Sequence, residues 1–225
     1  MKKFILAAIL AASSLTGSAF AAALPDPINN FSFQSAFDTT GDGIGNWTIA
    51  INPAGLTIAE GGLTPTNGSL MAFTNGPGAG GGSGGAFIFQ RLGSPGTFQA
   101  GTYTFTLDIG LRNDVGIANS YDVAFYSVNP VANTLSATLA RQTLAKTTLG
   151  WETQQFQFTL TGAESYFATD VIQITLGTPT GVQINYDNVQ GSFTPVPEPS
   201  TYAFLGIGAL GMFCLVRRYK TRAAA

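Results

Sequence analysis

The sequence predicts an all-β domain, a two-sheet β-sandwich, set between two apolar termini. Three observations carry that reading: period-two alternation recurs from about Phe31 onward, Gly and Pro clusters separate the segments, and no amphipathic helical pattern intervenes. The clearest segment is 102–109, where Tyr103, Phe105, Leu107 and Ile109 face one side and the threonines and Asp108 the other. Segments 155–160 and 182–187 keep the same period, and further strands are expected at 47–51, 70–73, 86–91, 121–128, 137–144 and 171–176. Strands at this density favour two packed sheets. The clusters at 53–55, 75–85, 93–96 and 177–181 read as connections.

The ends have a different character. Lys2 and Lys3, an apolar stretch over 4–15 and the small-x-small set Ala19-Phe20-Ala21 predict a signal peptide over 1–21, with Ala21-Ala22-Ala23 as an alternative frame ending at 23. The sandwich is then expected over 24–193. The last segment, 194–225, holds an uncharged run of 17 residues at 200–216. At about 1.5 Å per residue that run is just long enough to cross the hydrocarbon core, which predicts one transmembrane helix. Arg217, Arg218, Lys220 and Arg222 follow as a stop-transfer cluster in a basic tail, 217–225, which places the body outside the cytoplasm. Pro197 and Pro199 fix their own φ and extend the residues before them, so 196–199 is a stiff peptide of the form a protease accepts.

Composition narrows the chemistry. Residues 24–196 carry four bases and eleven acids, a net charge of −7, which disfavours nucleic acid and anionic lipid as partners. Membrane contact is expected only through the C-terminal helix. The scarce charge and the abundant Thr, Asn, Gln and Ser suit hydrogen bonding to neutral polymers. With no histidine, Ser-His-Asp and Cys-His catalysis and histidine zinc sites are excluded. The one cysteine, Cys214, lies in the C-terminal run, so the body holds no disulfide. Carboxylate chemistry remains, with Glu60, Glu152 and Glu164 as the acids that a glycosidase or lyase would draw on. The stretch 38–43 reads as an Asx-type turn, and the glycines of 76–85 as a loop between strands. Trp47 and Trp151 read as core, while Tyr126 and Tyr166 are the aromatic residues expected to contact carbohydrate.

Val196-Pro197-Glu198-Pro199, the apolar run and Arg217-Arg218 together resemble the PEP-CTERM sorting signal of exopolysaccharide-producing Gram-negative bacteria, also known as an ice-binding-protein C-terminal segment. The resemblance implies that exosortase, a membrane-embedded sorting protease, recognises Pro197, Glu198 and Pro199. It would cut nearby and release the body toward the cell surface or the exopolysaccharide and biofilm matrix. The body resembles the jelly-roll sandwich of carbohydrate-binding modules and galactose-binding-like domains through Asn30-Phe31-Ser32-Phe33, Gly45-Asn46-Trp47 and Tyr186-Asp187-Asn188-Val189. Here Gln34 stands where that family has an acid. The resemblance implies extracellular polysaccharide as a partner and a structural calcium at Asp187, helped by Asn29 or Asn30. The alternative is that Asp187 bonds the turn region at Asn188. The expectation is therefore an exported, non-catalytic protein with a carbohydrate-binding or structural role. A carboxylate-dependent carbohydrate-active enzyme is the alternative.

Overall fold

The computed structural model describes residues 22–23, 28, 31–37, 46–51, 53–79, 85–96, 98–115, 119–164, 169–196, 208 and 211–212. Residues Ala21–Thr194 form one compact unit. Its first sheet runs β3 (Ala54–Thr57), β4 (Met71–Asn75), β11 (Gln183–Pro195), β6 (Gly101–Leu111) and β9 (Gly150–Leu160), and β1 (Ala22–Ala23) pairs with β11. The second sheet runs β2 (Thr48–Ile51), β5 (Phe87–Leu92), β10 (Val171–Thr180), β7 (Asn119–Asn129) and β8 (Thr134–Lys146). The registered pairs are antiparallel, and one short 3-10 turn, Pro77–Ala79, is the only helix of this unit among the described residues. This is the expected all-β, jelly-roll-like sandwich.

Period-two alternation puts one row of each strand into the space between the sheets. Tyr103, Phe105, Leu107 and Ile109 are buried there from β6. Phe105 stacks on Phe125 of the opposing sheet at 4.5 Å, and Tyr103 stacks on Phe158 at 5.1 Å. Rings of this kind each bury roughly 150–250 Å² and carry most of the apolar stabilisation. On β11, Ile184 and Tyr186 face the core. Asn188 then takes a left-handed backbone (φ 51), and the buried row continues at Val189 and Phe193. Asparagine tolerates that conformation better than other non-glycine residues. Trp47 lies in the core against Phe33, ring centroids 5.1 Å apart.

Two expected connections are strand instead. Residues 53–55 include the start of β3, because Pro53 stands just ahead of it, where no ladder N–H is required. Residues 177–181 include the end of β10, where the register with β7 shifts between Gly177 and Thr180 and so accommodates Pro179. No helix among the described residues is long and apolar enough to cross a membrane. Of the expected span at 200–216, Gly208, Gly211 and Met212 are described, and they are helical. Ala19, Ala21, Asn30, Tyr166, Pro197, Glu198, Pro199 and the basic cluster lie outside the described residues.

Candidate functional site

The outward faces of the two sheets differ. The first sheet turns Asp108, Gln183, Asn185 and Asp187 outward, all buried, because residues 58–70 fold across them. Asp187 Oδ2 accepts from the backbone N–H of Thr66 (2.6 Å) and Asn67 (2.8 Å), and Oδ1 accepts from Asn188 N–H (2.8 Å). The Thr66 hydroxyl sits 2.7 Å from Asp108 Oδ2 and 3.1 Å from Asp187 Oδ2. Burial raises the Asp187 carboxyl above the ordinary range, and the N–H groups of Asn67, Asn188 and Thr66 pull it back. Trp151 donates from Nε1 to the Thr64 carbonyl at 2.7 Å, and so helps to hold this segment instead of filling the core. Gly110 lies beneath: a β-carbon there would come within 2.8 Å of both Leu63 Cδ1 and the Trp151 ring. Arg112 closes the edge through Glu60, Asp114 (2.6 Å) and Gln183 (2.9 Å); its hydrogen bonds to Asp114 keep its guanidinium firmly charged.

These contacts bear on the calcium expectation. The lone pairs of Asp187 are committed to N–H donors, where a calcium ion needs six to eight oxygens facing inward. Gln34 accepts from Ser69 N–H at 2.7 Å and donates to the Leu70 carbonyl at 3.0 Å. A carboxylate could not make both bonds. The described residues therefore do not fit a calcium ion. Asp187 instead bonds the Asn188 turn, with residues 66–67 added.

The second sheet is open. A groove of about 390 Å³ crosses its outward face. Strand register arranges this face in ranks: Arg91, Gln173 and Tyr126 lie side by side, then Phe89, Thr175 and Ala124, then Phe87, Gly177 and Asp122; the first and last ranks and Thr175 line the groove. Gly177, without a side chain, leaves room in the floor. Tyr126 is half-buried, and burial, more than its charged neighbours, raises its hydroxyl above the usual tyrosine range, so it is a neutral donor and acceptor at pH 7. Asp122 holds Arg141 through both oxygens at 3.1 Å and also accepts from Thr143 at 2.8 Å. Arg91 lies 5.4 Å over the Phe89 ring and donates to Gln173 at 3.1 Å and to Asn133.

Of the two expected contact residues, Tyr126 lines this groove. The three glutamates are dispersed: Glu60 pairs with Arg112, Glu152 with Lys146 (3.0 Å), and Glu164 accepts from the backbone of Thr161 and Gly162. The sequence reading missed Arg91, Phe87 and Phe89. Its available signal was the alternation in 87–92, which puts two aromatic residues and an arginine opposite Ile88 and Leu92.

Comparison with known proteins adds two findings. The family model of the PEP-CTERM protein-sorting motif matches residues 195–218. The chain carries a PEP-CTERM sorting tail. The body, for its part, is similar to solved structures of sandwich proteins. An apo cyclase from Fischerella sp. is 18% identical, covers 80% of this chain and 100% of its own, and superposes with a TM-score of 0.56. The Stig cyclase Fisc from Fischerella sp. TAU, in complex with an indole compound, is 16% identical over 79% of this chain and 100% of its own, with a TM-score of 0.55. TmCBM61, in complex with β-1,4-galactotriose, is 11% identical over 74% and 97%, with a TM-score of 0.48. Likeness to the cyclases at this identity establishes the sandwich fold alone. No curated protein matches the chain.

Proposed function

We propose that this is an exported, non-catalytic protein whose body binds polysaccharide in the groove of the second sheet, and whose tail sorts it to the cell surface or the exopolysaccharide matrix. The groove carries the binding half of this reading. It is a trough with an aromatic floor at Phe87 and Tyr126 and planar amides at Gln173 and Asn133, the mix that seats a sugar ring and fixes its hydroxyls. Asp122 is the only carboxylate lining it among the described residues, and Arg141 occupies that side chain. This favours binding over two-carboxylate hydrolysis. The PEP-CTERM match carries the sorting half: exosortase would cut near Pro197-Glu198-Pro199 while the helix at 200–216 and the basic cluster hold the chain in the inner membrane.

Two measurements test the halves separately. In a host that carries exosortase, the mature protein lacks the basic tail by mass spectrometry, and replacing Pro197 and Pro199 with alanine leaves the tail attached. In affinity electrophoresis through polysaccharide gels, the protein is retarded without release of reducing sugar, and Tyr126→Ala restores free mobility. Recovery of the native protein intact to Ala225 would refute the sorting half. Sugar release that disappears in Glu152→Gln or Glu164→Gln would favour the carbohydrate-active enzyme.

A further inference from the structure

The two sheets end in β3 and β9 and in β2 and β8, strands whose outer edges have no strand partner among the described residues. These edges differ in how they are protected. β2 and β3 are four residues each, and the register of β2 with β5 shifts between Ile49 and Ile51. β8 is longer, but its register with β7 shifts twice, and it carries Arg141 and Lys146. Short length, bulges and cations are the devices that stop one sheet edge from pairing with another. β9 has none of them. It pairs with β6 without a break from Gly150 to Leu160, and it holds no proline and one charged residue, Glu152, near an end. Every second residue of an antiparallel strand turns its N–H and C=O away from its neighbour. Over eleven residues, β9 thus presents a regular row of backbone groups about 36 Å long.

We propose that β9 pairs antiparallel with β9 of a second copy of this chain, about a two-fold axis at Gln155. The side chains fit that partner. Thr153, Gln155, Gln157 and Thr159 form the outward row of the strand, and all four are exposed. About this axis Gln155 meets the partner's Gln155, and each Thr153 meets a Gln157. Facing amides can satisfy each other, the NH₂ of one donating to the oxygen of the other. The charges fit too. Glu152 comes opposite the partner's Phe158, and the two Glu152 carboxylates are six positions, about 20 Å, apart. That exceeds the screening length of about 10 Å. Phe156, Phe158 and Leu160 stay in the core of their own sandwich. A two-fold contact of this kind uses one patch on both copies and closes as a dimer. The assignment is independent of the groove, of which the dimer carries two copies.

The test is sedimentation velocity on the full chain in density-matched neutral detergent. The unmutated protein should show a dimer whose fraction rises through the micromolar range, because a single strand pair is a small interface. Gln155→Lys sets two like charges at the axis; the dimer should be lost while melting is unchanged, since the position is exposed. In a Cys214→Ser background, Gln155→Cys should give an intermolecular disulfide on mild oxidation, because facing Cβ atoms lie about 4.5–5.5 Å apart. Thr159→Cys should not, its two copies being about 26 Å apart. Sedimentation as a monomer at every concentration overturns the proposal. So does a dimer that survives Gln155→Lys or crosslinks as readily through Thr159→Cys, because association then runs through another surface.

Discussion

The outer face of the first sheet and that of the second both carry amides, carboxylate and arginine, yet the fold uses them in opposite ways. On the first sheet, residues 58–70 fold over the polar row, and the bonds of Asp187, Asp108 and Arg112 close within the chain. On the second sheet the polar side chains are aligned by their neighbours but line open space. A buried polar group that is fully bonded internally contributes to stability and specificity of the fold; one that is oriented and left facing a cavity is prepared for something else. Substitutions on the first face should therefore change melting, and those on the second should change binding.

The largest effect is expected from Asp187→Asn. Its amide NH₂ would be set against the N–H groups of Thr66 and Asn67 or against that of Asn188, a loss of about 2–3 kcal/mol read by denaturant unfolding, with binding unchanged. Gly110→Ala should follow at about 1–3 kcal/mol, from overlap with Leu63 and Trp151. Tyr126→Ala should reverse the profile, with binding lost and melting altered by about 1 kcal/mol or less, since the ring is only half-buried. Glu152→Gln should cost about 0.2–1 kcal/mol, because Glu152 is largely exposed even though Lys146 is buried.

The pH dependence of that last variant has a definite sign. The hydrogen bond from Lys146 lowers the Glu152 carboxyl, so its contribution is present above the ordinary glutamate range and disappears as pH falls through the lowered value. The difference between Glu152→Gln and the unmutated protein should vanish in acid. Asp187 works the other way: its raised carboxyl favours folding at low pH, and that advantage is lost as pH rises through the raised value. At the small end, EDTA or added calcium should leave the melting midpoint where it is. A calcium-dependent shift of several degrees would mean that Asp187 is a ligand after all, and would unsettle the contrast between the faces.

How far the chain could be read in advance follows from the range of the interactions. Alternation is local, so the faces of 102–109 and the outward turn of Asp187, Gln183 and Asn185 were visible in the sequence alone. The sorting tail was visible for the same reason, since its motif, run and basic cluster are contiguous. The closure by residues 58–70 was not, because Thr66 and Asp187 meet across 121 positions and no spacing rule connects them. The Arg91–Asn133 contact, 42 positions apart, escaped for the same cause. Gly and Pro misled at 53–55 and 177–181, where a strand entry and a register shift accept residues that ordinarily end strands. Trp151 was read as core from its type, and its place under Leu63 depends on a segment that folds back over the sheet.

The pairing of β1 with β11 brings Ala22 opposite Phe193 and Ala23 opposite Ser192. The two ends of the compact unit thus meet in one ladder, its first described residues against its last strand. A signal-peptidase cut after Ala21 leaves this two-residue clasp intact, whereas a cut after Ala23 removes it.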